Sequence, residues 1–301
     1  MTVSASGLER TEAAAPVDAS VRRAGFFATL RRHPRLALGG GLVVVLVLVA
    51  IFAPLLTPFD PVVGDVSDSL QAPGAVHWLG TDDLGRDVMA RVLFGARLSL
   101  SVAAISVSIG VGVGVSIGLI AGYSGGAVDL LLMRLIDALL AFPGLLLAIS
   151  ITAALGPQIQ NAMIAIGVIS IPVYARLTRG QVLSLRELDY VTAARALGVS
   201  PIRIALMHIL PNLANTLIVQ ATLTTAFAIL QEAVLSFLGL GAQPPSPSWG
   251  QDINYNQRYI TNLMWWGSVG PGVAIFLAVF AFNFLGDALR DWLDPQFRRR
   301  A

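Results

Sequence analysis

Cysteine and lysine are both missing from the 301 residues: the cysteine count is zero, and every one of the 20 Lys+Arg positions is arginine. Without cysteine there are no disulfides, no thiolate nucleophile and no Cys-ligated zinc or iron-sulfur site. Without lysine there is neither a Walker A phosphate loop nor a Schiff-base nucleophile, so any ATP used by this protein must bind on another chain. Charge of either sign is scarce too, at 13% against about 25% in soluble domains. Hydrophobic residues make up 55% and the mean hydropathy is +0.73, more apolar surface than one or two soluble cores can hide. Most of it must face lipid. No stretch alternates with a β period over ten residues, which argues against a membrane barrel. The net charge of +2 gives no reason to expect a nucleic-acid partner. The chain reads as an all-α, polytopic membrane protein.

Six apolar segments approach the ~20 residues that cross a hydrocarbon core: Leu36 to Leu56, Leu98 to Ala121, Leu135 to Leu155, Ala162 to Leu177, Leu213 to Leu238 and Val269 to Leu289. They divide the chain into a disordered N-terminal tail (1–35), a membrane domain (36–290) with long external loops at 57–97 and 239–268, and a basic C-terminal tail (291–301). Six crossings put both termini on one side, and arginine marks that side as cytoplasmic. All arginines but Arg86, Arg91, Arg97 and Arg258 then lie in inside segments, and those four share the outer loops with Asp60, Asp65, Asp68, Asp82, Asp83, Asp87 and Asp252. The expected location is the cytoplasmic membrane. Arg22-Arg23 before Phe26-Phe27 hints at a twin-arginine signal, but five further basic positions and the lack of a cleavage site make it a positive-inside anchor.

Gly110, Gly114 and Gly118 recur every four residues, a face that lets another backbone approach; a packing seam within the subunit is expected, a subunit interface being the alternative. Asp82, Asp83, Arg86 and Asp87 lack the EF-hand spacing and are expected to form an Asp-Arg network fixing the outer loop. The outer stretch with Pro244, Pro245, Pro247, Trp249, Trp265 and Trp266 suits a rigid surface for an external partner with an interfacial aromatic belt, a lid over the bundle, or both.

The most patterned connection is Gln181 to Asn212. Ser184 and Glu187 have capping-box spacing, helix formers continue to Leu197, and Gly198 supplies a stop. Ser200 then caps a second helix with Pro201 in its first turn, and Pro211 is expected to end it. Two short helices with small and apolar side chains make a knob suited to a groove on a soluble partner; an amphipathic pair on the membrane surface is the alternative.

Asp189-Tyr190-Val191, Ala193-Ala194-Arg195, Gly198 and His208-Ile209-Leu210-Pro211-Asn212 resemble the cytoplasmic loop of permease subunits in ATP-binding cassette importers, in the form found in the peptide branch. The usual Glu is replaced by Thr192 and the usual Ile by His208. Leu79 to Leu100, Gln231 to Asp252 and Asn283 to Pro295 resemble the C-type subunit of the same dipeptide/oligopeptide family. Together the four stretches cover about a third of the chain, in the expected order and spacing.

The resemblance implies a type I importer permease fold and no catalysis on this chain. It implies a homologous B-type permease, two ATPase subunits carrying ATP and Mg, an external binding protein and a peptide substrate. It makes the loop the element coupled to the ATPase, with Asp189, Tyr190, Ala193, Ala194, Arg195, Gly198, Arg203, His208, Pro211 and Asn212 as its residues. Physically, Ala193, Ala194 and Gly198 permit close approach, Tyr190 is an aromatic anchor, and Arg195 and Arg203 suit acidic partners. His208, with His33 and His77 far off, makes no metal cluster; a structural hydrogen bond is expected of it.

Glu232, inside the fifth segment, is the candidate for the transport path or a gate. A hydrogen bond that fixes its helix before Gly239-Leu240-Gly241 is the other reading. From a different class, a secondary transporter of small solutes is expected to show inverted repeats, broken mid-membrane helices or a buried carboxylate relay, and here Glu232 is the one acidic side chain well inside a segment. A membrane enzyme needs a nucleophile-base pair or metal cluster, and neither is evident.

Overall fold

A computed structural model describes residues 33–293. The expected tails therefore lie outside the described residues, except His33, which precedes the first helix, and residues 34–35 and 291–293, where helices already run. These helices are α1 (Pro34–Leu56), α2 (Val88–Ser124), α3 (Gly126–Leu140), α4 (Gly144–Leu155), α5 (Ile159–Leu185), α6 (Asp189–Ala196), α7 (Pro201–Ile204), α8 (Leu210–Phe237), α9 (Trp249–Asn256) and α10 (Trp266–Leu293). Among the described residues there is no β-strand, only an isolated bridge between Thr81 and Asp87. Five helical runs are long and apolar enough to cross a membrane, or six if α3 and α4 form one broken span.

That pair corrects the third segment. Instead of one crossing from Leu135, the chain is helical from Gly126 and bends by 87° between Leu140 and Gly144. Pro143 has no N–H to continue α3 and disfavours helical geometry at Phe142, so the helix restarts beyond it. The fourth segment is longer than its hydropathy suggests. α5 continues past Leu177 because Arg176 and Arg179 are neutralised by α3, through Asp137 (2.7 Å) and Asp129 (2.5 Å).

The most extensive helix pairing is α2 against α5, and the glycine face of α2 makes it possible. A Cβ on Gly114 would stand 2.6 Å from the Ile171 carbonyl oxygen and 2.7 Å from Tyr174 Cβ; Gly110 and Gly118 meet Ser170 and Thr178 in the same way, and Gly122 continues the period against Val182. The small-residue face is a seam within the chain. Alongside it, Val102, Val107, Ile166, Ile229 and Leu235 form the main core, closed at one end by Trp249. The α1 helix lies outermost, packed on α2 and α10, with Val44, Ile51 and Leu55 exposed.

The loop 57–87 and α9 close the same end of the bundle. Asp82 accepts from the backbone N–H of Leu84 and Arg86 and from Arg86 Nε at 2.6 Å, while Asp87 caps α2 through the Ala90 N–H and meets His77 Nδ1 at 2.9 Å. Trp249 and Trp266 are buried and donate Nε1–H to the carbonyls of Val92 (2.9 Å) and Thr81 (3.1 Å). They belong to a lid rather than a surface belt; Trp265 stays half exposed.

Candidate functional site

The patterned loop folds into a knob, by a different local route from the one expected. Ser184 does not cap a helix. It lies inside α5, its hydroxyl turned back toward the Gly180 carbonyl at 3.4 Å, as serine does in a helix interior. After a short turn, α6 starts at Asp189, whose carboxylate sits in the first turn near the positive end of the helix dipole. Gly198 does end α6: at φ +78° it lets its own N–H reach the Arg195 carbonyl (2.9 Å) and the Val199 N–H reach Ala194 (3.1 Å), satisfying the last carbonyls of the helix. Ser200 occupies the N-cap position of α7 without a side-chain hydrogen bond.

Pro211 does not stop the second helix. A π turn at Ala205–Ile209 joins α7 to α8, giving a continuous helical run from Pro201 to Phe237. The wider turn accommodates a proline that cannot donate to the preceding turn. Asn212 Nδ2 donates to the His208 carbonyl at 2.6 Å, and the Tyr190 hydroxyl approaches the same oxygen at 3.4 Å. Three of the resemblance residues, Tyr190, His208 and Asn212, are thus brought together where α6 crosses the π turn. The side-chain hydrogen bond expected of His208 is not made among the described residues: its ring Nδ1 is buried without a partner, and only its backbone carbonyl accepts.

The knob has an inner and an outer face. Val191, Ala194, Ile204, Ala205 and Ile209 are buried against Leu119 of α2, Val182 of α5 and Leu213 of α8. Ala194 therefore serves the inner packing, and close approach from outside falls to Ala193 and Gly198, both exposed. Arg195 lies 5.4 Å over the Tyr123 ring, flanking a hollow of about 530 Å³ with Arg186 and Pro201. Arg203 and Asp189 are exposed. On the outer face stand Leu197 (83% exposed), Ile202 (73%) and Met207 (68%). Sequence reasoning did not single out these three; alternation of inward Ala194 and Ile204 with outward Leu197 and Ile202 is visible only once the inner face is known. Burying one such side chain against a partner is worth about 1.5–3 kcal/mol.

Glu232 lies at the other end of α8 and is fully buried. Its Oε2 accepts from Ser99 of α2 (2.7 Å), and its Oε1 from Ser236 one turn on (2.8 Å) and from Ser248 at the entry to α9 (3.1 Å). Three hydroxyls from three segments meet one carboxylate, so its acceptor capacity is used inside the protein. Among the described residues no group of His, Asp and Glu is placed to hold a metal ion.

This fold is that of a permease subunit of a type I ATP-binding cassette importer. It matches the MetNI methionine ABC transporter in an inward-facing conformation with a TM-score of 0.51 and 21% identity, over 67% of this chain and 97% of that one. Residues 114–299 match the binding-protein-dependent transport system inner membrane component, and residues 24–73 match the N-terminal TM domain of oligopeptide transport permease C. The chain is 46% identical to the dipeptide transport system permease protein DppC of Alkalihalophilus pseudofirmus, over 90% of this chain and 89% of the relative. It is 45% identical to the di/tripeptide transport system permease protein DppC of Pseudomonas aeruginosa, over 89% and 91%. The chain belongs to the family of binding-protein-dependent transport system inner membrane components.

Proposed function

We propose that this protein is the membrane-spanning permease subunit of an ATP-driven importer of peptides, with the substrate class suggested by its DppC relatives. Its partners would be a homologous B-type permease, two ATPase subunits holding ATP and Mg, and an external binding protein. Both termini and the 181–212 knob face the cytoplasm in this reading, consistent with the arginine distribution.

The observation that carries the coupling role is the two-faced knob: an inner face packed on α2, α5 and α8, and an outer face of exposed Leu197, Ile202 and Met207. A soluble ATPase cleft would cover that outer face. Because α7 runs through the π turn into α8 without a break, a push on the knob travels along one helical rod, which suits a lever for alternating access. Glu232 acts, in this reading, as a clamp between α2, α8 and the lid rather than as a path-lining charge, because all its acceptor bonds are internal.

Replacing Leu197 or Ile202 with Asp places a charge on the docking face while leaving the inner packing intact. Co-purification of the ATPase subunits from detergent is expected to fall at least tenfold with normal membrane levels of the permease. ATPase recovery equal to wild type would refute the role of this face.

A further inference from the structure

A groove of about 530 Å³ runs between α1, α2, α8 and α10, away from the knob. Its walls include Val47 and Ile51 of α1, Leu100 and Ala104 of α2, and Phe282 of α10, and Arg97 stands on it as the one charged lining residue. Its size falls within the range of small-molecule sites, roughly 300–1,000 Å³. The guanidinium is exposed and pairs with no carboxylate among the described residues. Its contacts within the chain are weak, a 3.4 Å approach of Nη2 to the Ile51 carbonyl and a 5.8 Å approach to the Phe94 ring.

The groove offers little to a peptide. Both hydroxyls on its wall are already committed to their own helices, Ser101 to the Leu98 carbonyl and Thr225 to the Ala221 carbonyl, each at 2.8 Å. A peptide backbone entering here would lose its hydrogen bonds to water without replacement, a costly exchange in an apolar setting. A hydrocarbon chain has none to lose. The groove is also flanked by the exposed apolar surface of α1, where Val44, Ile51 and Phe52 face the surroundings. One cation at the rim of an otherwise apolar trough complements a molecule with an anionic head and a greasy tail.

We infer that this groove binds a phospholipid with a net anionic headgroup, its phosphate on the fork of Arg97 and one acyl chain between α1 and α2. Arginine suits the task because its planar fork takes phosphate oxygens two at a time and stays charged at any relevant pH.

The test uses the full-length chain, purified with the subunits that accompany it after equilibration in vesicles of equal phosphatidylglycerol and phosphatidylethanolamine. Native mass spectrometry is expected to show phosphatidylglycerol retained over phosphatidylethanolamine. Arg97→Gln should cut that retention about tenfold, the scale of one lost charge-assisted contact, and Arg97→Lys, which keeps the charge but not the fork, should recover only part of it. Ala104→Phe, which fills the trough and leaves the cation in place, should also release the lipid. In this cysteine-free chain, Ser101→Cys should be labelled by a thiol-reactive lipid. Equal retention of the two lipids, unchanged retention in Arg97→Gln or Ala104→Phe, or exclusive cross-linking of position 101 to another protein subunit would each overturn the site.

Discussion

Arg91 and Asp252, 161 positions apart, meet in the interior: Nε and Nη2 of the guanidinium donate to the same carboxylate oxygen at 2.8 and 2.5 Å. Arg91 also donates Nη1–H to the Pro61 carbonyl at 2.7 Å. One side chain therefore ties the loop 57–87, the start of α2 and the short helix α9 into a single lid. Because both partners are buried, removing one leaves the other uncompensated, which destabilises by roughly 3–5 kcal/mol.

The pair gives the lid a pH dependence. Burial pushes the Asp252 carboxyl up to about 6 from 3.8, against the opposing pull of Arg91. The folded protein then binds more protons than the unfolded chain between those values. The stabilisation from the protonated form is complete below pH 3.8 and is lost as pH rises through 6. The difference amounts to about 3 kcal/mol at most. Melting temperatures of the purified protein across this window should fall with rising pH in wild type and stay flatter in Asp252→Asn. Parallel curves would show that this carboxyl does not titrate there.

Gly198 tests the knob. Its φ of +78° is strained for any residue with a Cβ, yet a Cβ built there meets nothing within 4 Å. The penalty for Gly198→Val is thus conformational, roughly 1–2 kcal/mol, and it tilts α7 against α6 without a clash. Membrane levels should hold while substrate-stimulated ATP hydrolysis and uptake fall together. Gly198→Asn, which tolerates the left-handed region better, should keep more activity than Val. Wild-type uptake by Gly198→Val would remove the knob from the mechanism.

At Glu232 the three serine donors set the expectation. Gln keeps the shape and one acceptor, and a rotating hydroxyl such as that of Ser99 accepts from its amide. Glu232→Gln should therefore transport at near-normal rates from pH 6 to 8, whereas Glu232→Ala, which removes the shared acceptor of three buried hydroxyls and leaves a cavity, should lower the melting temperature by several degrees. A large loss of transport in a stably folded Glu232→Gln would restore the path or gate role.

The α2–α5 seam carries its own control. Gly114→Ala drives a methyl against the Ile171 carbonyl at 2.6 Å, and overpacking of this kind destabilises by about 1–3 kcal/mol. Gly112, two residues away, has open space around it, so Gly112→Ala should be neutral or slightly stabilising through helix propensity. Thermal unfolding in detergent should separate the two; equal midpoints would mean that the seam is looser than these distances.

Five of the six apolar segments, the arginine-rich and acidic connections, the glycine period of α2 and the stop at Gly198 were legible along the chain; the bend at Pro143 that breaks the third segment was not. Each depends on a property that residues carry with them: hydropathy over some twenty positions, periodicity, or the freedom of a residue without a Cβ. The peptide-permease motifs were legible for the same reason, since they are contiguous. The misreadings were local signals overruled by packing. Ser184 has the spacing of a cap, but its stretch continues α5, and Pro211 looks like a stop, but a π turn absorbs it. What only the tertiary structure decided is who partners whom. Nothing near Glu232 in sequence announces Ser99 or Ser248, and nothing near Arg91 announces Asp252. A buried polar group must be satisfied wherever the fold brings a donor or acceptor, and that choice is made by segments meeting across more than a hundred residues, not by the composition of any one of them.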